Sequence, residues 1–143
     1  MVLVIGGCSQ GKRAFVRARY GLGDGLTGKP MEGGAAVCGL ADGAQAPWEA
    51  FLKAGCAWNL HLMIRRRLEA GEAAEKLEKE LPEQLLRACP ERILITDEIG
   101  YGIVPLDPFE RAYREAVGRI CCALAAEARE VWRVVAGIGM RIK

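Results

Sequence analysis

Several things are missing from this chain, and each absence removes a class of protein. Six cysteines occur, Cys8, Cys38, Cys56, Cys89, Cys121 and Cys122, but none are spaced as CxxC. That spacing argues against a zinc ribbon, a redox dithiol and a disulfide-stapled mini-protein, and the thiols are expected to be free and mostly buried. Histidine is almost absent: His61 stands alone, which gives no basis for assembling a Ser-His-Asp or Cys-His triad. An excess of one charge is lacking too, with 20 basic against 18 acidic residues and a net charge of +2, so no electrostatic case exists for a nucleic-acid binder. Long apolar runs are also missing. The stretch from Pro47 to Ile64 is broken by Glu49, Lys53, Asn59 and His61, short of the roughly 20 apolar residues of a membrane span. The first segment, Met1 to Gly7, is apolar but has no basic head and runs into Lys12, which suits a buried strand of a cytoplasmic protein rather than a leader.

The 143 residues, 51% hydrophobic and 27% charged, fit one globular domain spanning 1–143. Val2-Leu3-Val4-Ile5 reads as a strand, Gly6-Gly7 as a turn, and Gly11 onward as a helix carrying Ala14, Phe15, Val16 and Ala18. Gly21 to Gly34, with seven Gly or Pro in fourteen positions, reads as a mobile loop and a candidate lid. Ala35 to Leu40 is a candidate second strand. A single helix is expected from Pro47 through Ile64, closed by the basic cluster Arg65-Arg66-Arg67. Glu72 to Leu86 reads as a solvated amphipathic helix bent or restarted at Pro82. Arg92 to Thr96 is a buried strand, Asp107-Pro108 caps a helix running to about Ala128 with Glu110 placed for a capping box, and Val131 to Ala136 is the last strand. Strands alternating with helices imply an α/β fold with a mostly parallel sheet covered on both faces.

The chemistry concentrates in Gly6-Gly7-Cys8-Ser9-Gln10-Gly11-Lys12, a GxxxxGK string between a strand and a helix. There the glycines let backbone amides converge on phosphate oxygens, the helix N-terminus adds its dipole, and Lys12 neutralises the β- and γ-phosphates. Arg13 follows where the full motif carries a Ser or Thr hydroxyl for Mg²⁺, so the metal needs an acid from elsewhere. Asp97 and Glu98, at the carboxyl end of a strand, are the candidates. Glu98 is favoured as metal ligand and catalytic group because it precedes the glycine-punctuated turn through Gly100 and Gly102. Arg111 and Arg114, one helical turn apart, share a face that can aim at anionic oxygens or pair with Glu110 and Glu115. His61, between Leu60 and Leu62, is a buried or groove residue with a possible catalytic role.

Glu98-Ile99-Gly100-Tyr101-Gly102-Ile103-Val104-Pro105, then Arg111, Tyr113-Arg114-Glu115, Gly118-Arg119 and the run from Glu130 to Gly139 resemble the bifunctional adenosylcobinamide kinase/adenosylcobinamide-phosphate guanylyltransferase family. The opening Gly6 to Lys12 looks like that family's phosphate loop. The resemblance implies a P-loop, RecA-like three-layer fold, a γ-phosphoryl transfer from GTP or ATP to the aminopropanol hydroxyl of adenosylcobinamide, and Mg²⁺ as cofactor. It further implies transfer of GMP through a histidine to the corrinoid phosphate, and assembly into a homo-oligomer; Trp48, Trp58 and Trp132 are expected in the core before they are expected to anchor contacts between subunits. Under it, Lys12 holds phosphates, Glu98 serves the metal or hydroxyl side, Arg111 lines the substrate with Gly100 and Gly102, and Arg114 joins the catalytic set. The chain departs from the family at Arg13, at Cys121-Cys122 in place of Asn-Gln, at an acid-bearing third strand without a clear counterpart, and at the guanylylated histidine, since residues 21–51 contain none. A nucleotide- or corrinoid-binding regulator with reduced catalysis is the alternative expectation.

Overall fold

The computed structural model describes residues 1–22 and 39–143. Strand β1 (Val2–Ile5) leads into helix α1 (Lys12–Tyr20), followed by β2 (Leu40–Asp42), α2 (Trp48–Lys53), β3 (Cys56–Trp58) and α3 (Leu60–Glu69). Then come α4 (Ala74–Ala88), β4 (Ile93–Ile95), α5 (Pro108–Glu127), β5 (Glu130–Val135) and β6 (Ile138–Arg141). The six strands form one sheet in the order β2-β3-β4-β1-β5-β6, parallel throughout except for the β5–β6 hairpin. β1 therefore lies centrally, with β4 on one side and β5 on the other.

Alternation along the strands divides the interior into two layers. Val2 and Val4 of β1, Ile93 and Ile95 of β4, and Trp132 and Val134 of β5 pack with Val16 beneath α1. Leu3, Leu94 and Val131 face the other way, onto the residues of α2 to α5. Phe51, Leu60, Ile64, Leu77, Leu81, Leu85, Ile120 and Leu124 are fully buried there, each contributing about 1.5–3 kcal/mol by the area it removes from water. This is the three-layer α/β arrangement that the pattern of elements implies.

Three expectations are corrected. Residues 47–67 are not one helix: α2 ends at Lys53, β3 intervenes, and α3 begins at Leu60. Ala54-Gly55-Cys56-Ala57 has neither β-branched residues nor alternation, so pairing with β2 and β4 defines this strand rather than local propensity. Helix α4 is not restarted at Pro82 but continues through it, with the proline buried. At α5 the Asp107 carboxylate accepts the Phe109 N–H at 2.9 Å, but Glu110 completes no capping box and instead accepts from Arg65 at 2.6 Å. The second strand begins at Leu40; residues 35–38 and most of the expected lid, from residue 23, lie outside the described residues. No described helix is long and apolar enough to cross a membrane.

Candidate active site

At the carboxyl end of β1 the chain turns sharply beside β5. A methyl group at Gly6 would collide with the Val134 carbonyl, so only glycine fits this approach. Gly11 adopts φ 80°, left-handed backbone that opens α1. The Gln10 side-chain oxygen accepts from the Ala136 N–H at 2.7 Å, and the Gln10 carbonyl accepts from Gly137 N–H at 2.9 Å, tying the loop to the β5–β6 turn. Lys12 is buried, donating from Nζ to the Gly7 carbonyl at 2.6 Å and pairing with Asp97 Oδ1 at 2.6 Å. A cavity of about 300 Å³ lies against this loop, lined by Cys8, Ser9 and Arg13 on one side and by Trp58, Asn59 and Asp97 on the other. The Arg13 guanidinium stacks over the Trp58 ring, 4.3 Å from its centre.

Asp97 links two buried groups, the Lys12 ammonium and the His61 ring. Its carboxylate meets Lys12, and its backbone N–H donates to His61 Nδ1 at 3.2 Å, while the His61 backbone N–H donates to Thr96 Oγ1 at 3.2 Å. The bond at Nδ1 fixes the neutral ring's proton on Nε2, which sits 3.9 Å from Asp97 Oδ2. Burial lowers the His61 pKa, against the opposing pull of Asp97, so the ring is neutral at pH 7. Neither nitrogen then offers a free lone pair to the cavity. His61 is placed to hold Asp97, and not as a nucleophile. Next to it Asn59, in left-handed backbone with φ 56°, donates to Asp42 Oδ1 at 2.8 Å. Burial pushes the Asp42 carboxyl up, but hydrogen bonds from the Ala44 and Asn59 amides outweigh it and hold the pKa below the ordinary value.

The structure distributes the remaining candidates differently from expectation. Of the two acids, Asp97 and not Glu98 lines the cavity of the phosphate loop. Glu98 points to the α5 side of the sheet, where Arg133 Nε donates to it at 3.3 Å and Arg133 Nη2 donates to the Tyr101 hydroxyl at 2.8 Å. Residues alternate faces along an extended segment, which separates these neighbours. Arg111 donates to the Pro105 and Leu106 carbonyls at 2.8 and 2.7 Å, and Arg114 to the Ile103 carbonyl at 3.0 Å. Both guanidinium groups brace the segment between β4 and α5 instead of reaching the phosphate loop. Gly100 lies on the α5 side with Glu98, and Gly102 takes φ 106° within the braced turn. Arg65, Arg66 and Arg67 are structural: they engage Glu69 and Glu110, the Gly43 and Ala46 carbonyls, and Glu72. Sequence reading missed Trp58 and Asn59, whose signal was hidden in the supposed long helix.

Among the described residues no three or more His, Cys, Asp or Glu gather as a metal cluster. A hard cation arriving with phosphate oxygens and water needs only one or two protein carboxylates, and the Asp97 carboxylate stands on the cavity wall. The donor set therefore fits Mg²⁺.

A sequence model of the family described as cobinamide kinase / cobinamide phosphate guanyltransferase matches residues 50–142. The bifunctional adenosylcobalamin biosynthesis proteins CobU of Escherichia coli (strain K12) and Salmonella typhimurium (strain LT2) are each 50% identical to the chain over 56 residues. That stretch covers 38% of this chain and 31% of each relative, so the match spans less than a third of the relatives' length.

Proposed function

The chain belongs to the cobinamide kinase / cobinamide phosphate guanyltransferase family, and we propose that it transfers the γ-phosphoryl group of GTP or ATP to the side-chain hydroxyl of adenosylcobinamide. One observation carries the reading: a buried lysine at the first turn of α1 pairs with an acid just past the end of the neighbouring strand, at the wall of a cavity bounded by a glycine turn. In the resting site Lys12 has an anion already, Asp97. A triphosphate tail entering the cavity takes that place, receiving the ammonium group together with loop amides. Asp97, released from Lys12 but still positioned through His61, is the protein's oxygen ligand for Mg²⁺, which neutralises charge on the phosphates when bound. Transfer forms a bond from the hydroxyl oxygen to the γ-phosphorus and breaks the bond to the β-phosphate oxygen, releasing nucleoside diphosphate. The protein's share is positioning and charge neutralisation.

Guanylyl transfer through a histidine is not part of this proposal, because His61 is the one histidine of the chain, its Nδ1 lone pair is taken by the Asp97 N–H, and it does not line the phosphate cavity. Arg13, held over Trp58, adds a charge at the cavity mouth in place of the missing hydroxyl. Residence in the cytoplasm and assembly with further copies belong to the same reading. Trp132 is buried and Trp48 and Trp58 are half-buried, so contacts between copies would fall instead on exposed apolar residues such as Ile138 and Met140. The test is calorimetric titration with GTP and ATP in the presence of magnesium, followed by phosphate transfer from labelled nucleotide to adenosylcobinamide. Binding and transfer that both disappear in Lys12→Ala support the reading. Absence of heat with either nucleotide overturns it.

A further inference from the structure

A second cavity, about 400 Å³, opens on the opposite face of the sheet from the phosphate loop, between the β1 and β4 ends and α5. Its walls are largely apolar, supplied by Ile5, Ile99 and Val117, and part of its floor is bare because Gly118 of α5 has no side chain. Asp97 lines this cavity as well as the first, the single residue common to both. Glu98 lines only the second, its carboxylate held by Arg133, which also holds Tyr101 at the rim. Beyond that rim Tyr101, Ile103, Val104 and Leu106 are strongly exposed, Ile103 at 91% and Leu106 at 96%, while Arg111 and Arg114 clamp the backbone that carries them. The segment is thus fixed in place with its apolar side chains outward, next to the cavity mouth.

We infer that this second cavity receives the hydroxyl-bearing arm of the acceptor, with the exposed Tyr101-to-Leu106 segment facing the acceptor's bulk and Glu98 taking the hydroxyl proton. The inference rests on the proposed transfer reaction and assigns its second substrate a place. Two features point to a neutral alcohol on an apolar arm. The walls reward apolar contact, with Glu98 already balanced by Arg133, and a carboxylate is the group that accepts a proton from a hydroxyl. Asp97 is the wall this cavity shares with the phosphate loop, and acceptor and donor would meet there. The step balances without further reactants: the oxygen gains phosphorus, its proton passes to the Glu98 carboxylate, and the nucleoside diphosphate leaves.

Gly118 offers a clean perturbation. A Cβ there meets nothing within 4 Å, so a larger side chain extends into open space without disturbing α5, and removing glycine from a helix interior favours the helix. Equilibrium dialysis of the full chain with cobinamide, followed by its visible absorbance, and separately with GTP, compares the wild type with Gly118→Ala, Gly118→Leu and Gly118→Phe. The expected result is cobinamide binding weakened by about tenfold or more in the Leu and Phe variants, near wild type in the Ala variant, with GTP affinity unchanged within about twofold. Glu98→Gln is expected to lower kcat by about 100-fold while leaving cobinamide binding intact. Cobinamide affinity indifferent to Gly118→Phe overturns the inference, as does a wild-type chain that binds GTP but no cobinamide. Cobinamide binding that responds to residue 118 in a chain that binds no nucleotide supports the acceptor cavity and refutes the donor reading, so the two failures are separable.

Discussion

Replacing Asp97 with Asn should weaken the resting protein and strengthen its response to a phosphate ligand. The substitution keeps the backbone N–H that reaches His61 and the shape of the side chain, and removes only the charge facing Lys12. At 2.6 Å and an effective dielectric of about 20, the gross attraction is about 6 kcal/mol. Desolvation of both groups offsets much of it. Removing one member of a fully buried pair costs about 3–5 kcal/mol. Here Asp97 keeps 17% exposure, and the amide oxygen still accepts from Lys12, so about 2–3 kcal/mol is expected. With a urea dependence of about 2 kcal/mol/M, the unfolding midpoint should fall by about 1–1.5 M. Pyrophosphate without magnesium should then restore more stability to the variant than it adds to the wild type, because Lys12 gains an anion without giving one up. Combining Asp97→Asn with Lys12→Met should cost less than the sum of the single losses, since each single change strands a charged or polar partner. Equal urea midpoints for wild type and Asp97→Asn, or strictly additive losses in the double variant, would refute this account of the pair.

Other consequences follow from the same geometry. Burial holds the His61 pKa below its ordinary 6.5, so the stability gained by keeping the ring neutral is present above pH 6.5 and is lost as pH falls below it. The slope from this one proton is at most about 1.4 kcal/mol per pH unit, and thermal unfolding of His61→Gln between pH 7 and 5 should lack it. Gly6→Ala drives a methyl group into the Val134 carbonyl and should destabilise by about 2–3 kcal/mol with loss of nucleotide binding, as read by denaturation and calorimetry. At Gly7 the added methyl meets only the flexible Gln10 side chain at 3.4 Å, so Gly7→Ala should fold almost as well as the wild type. Arg92 is fully buried and donates to the Leu52 and Cys89 carbonyls, joining the ends of α2 and α4. Arg92→Ala opens a cavity and orphans both acceptors, and urea unfolding should register a loss of about 3 kcal/mol or more.

What the sequence revealed and what it concealed divide along a physical line. Strand β1, the glycine turn and α1 were legible because each signal is local: β-branched residues, then Gly6-Gly7, then a helical pattern. Helix α5 was legible down to its Asp107 cap, and Cys121 and Cys122 sit as neighbours on a helix must, one lining the α5 cavity with its thiol pushed up to about 12 by burial, the other exposed. Strand β3 was hidden since Cys56-Ala57-Trp58 is three residues long and has no β-branched side chain, and it is defined by the long-range pairing of two flanking strands. Missing it displaced Trp58 and Asn59 from a strand end, where they wall the phosphate cavity, into the middle of an imagined helix. The Asp97-Glu98 pair was legible as two acids at a strand end, but not which of them faces the phosphate loop. Proximity to flexible glycines favoured Glu98, whereas the alternation of an extended segment decides which carboxylate meets Lys12, and the register is set by Thr96 N–H bonding to the Val4 carbonyl and Glu98 N–H to the Gly6 carbonyl. Those two bonds place adjacent acids on opposite faces of one sheet. One acid can then serve the donor while the other serves the acceptor, a division of labour that two neighbouring residues on a single face could not provide.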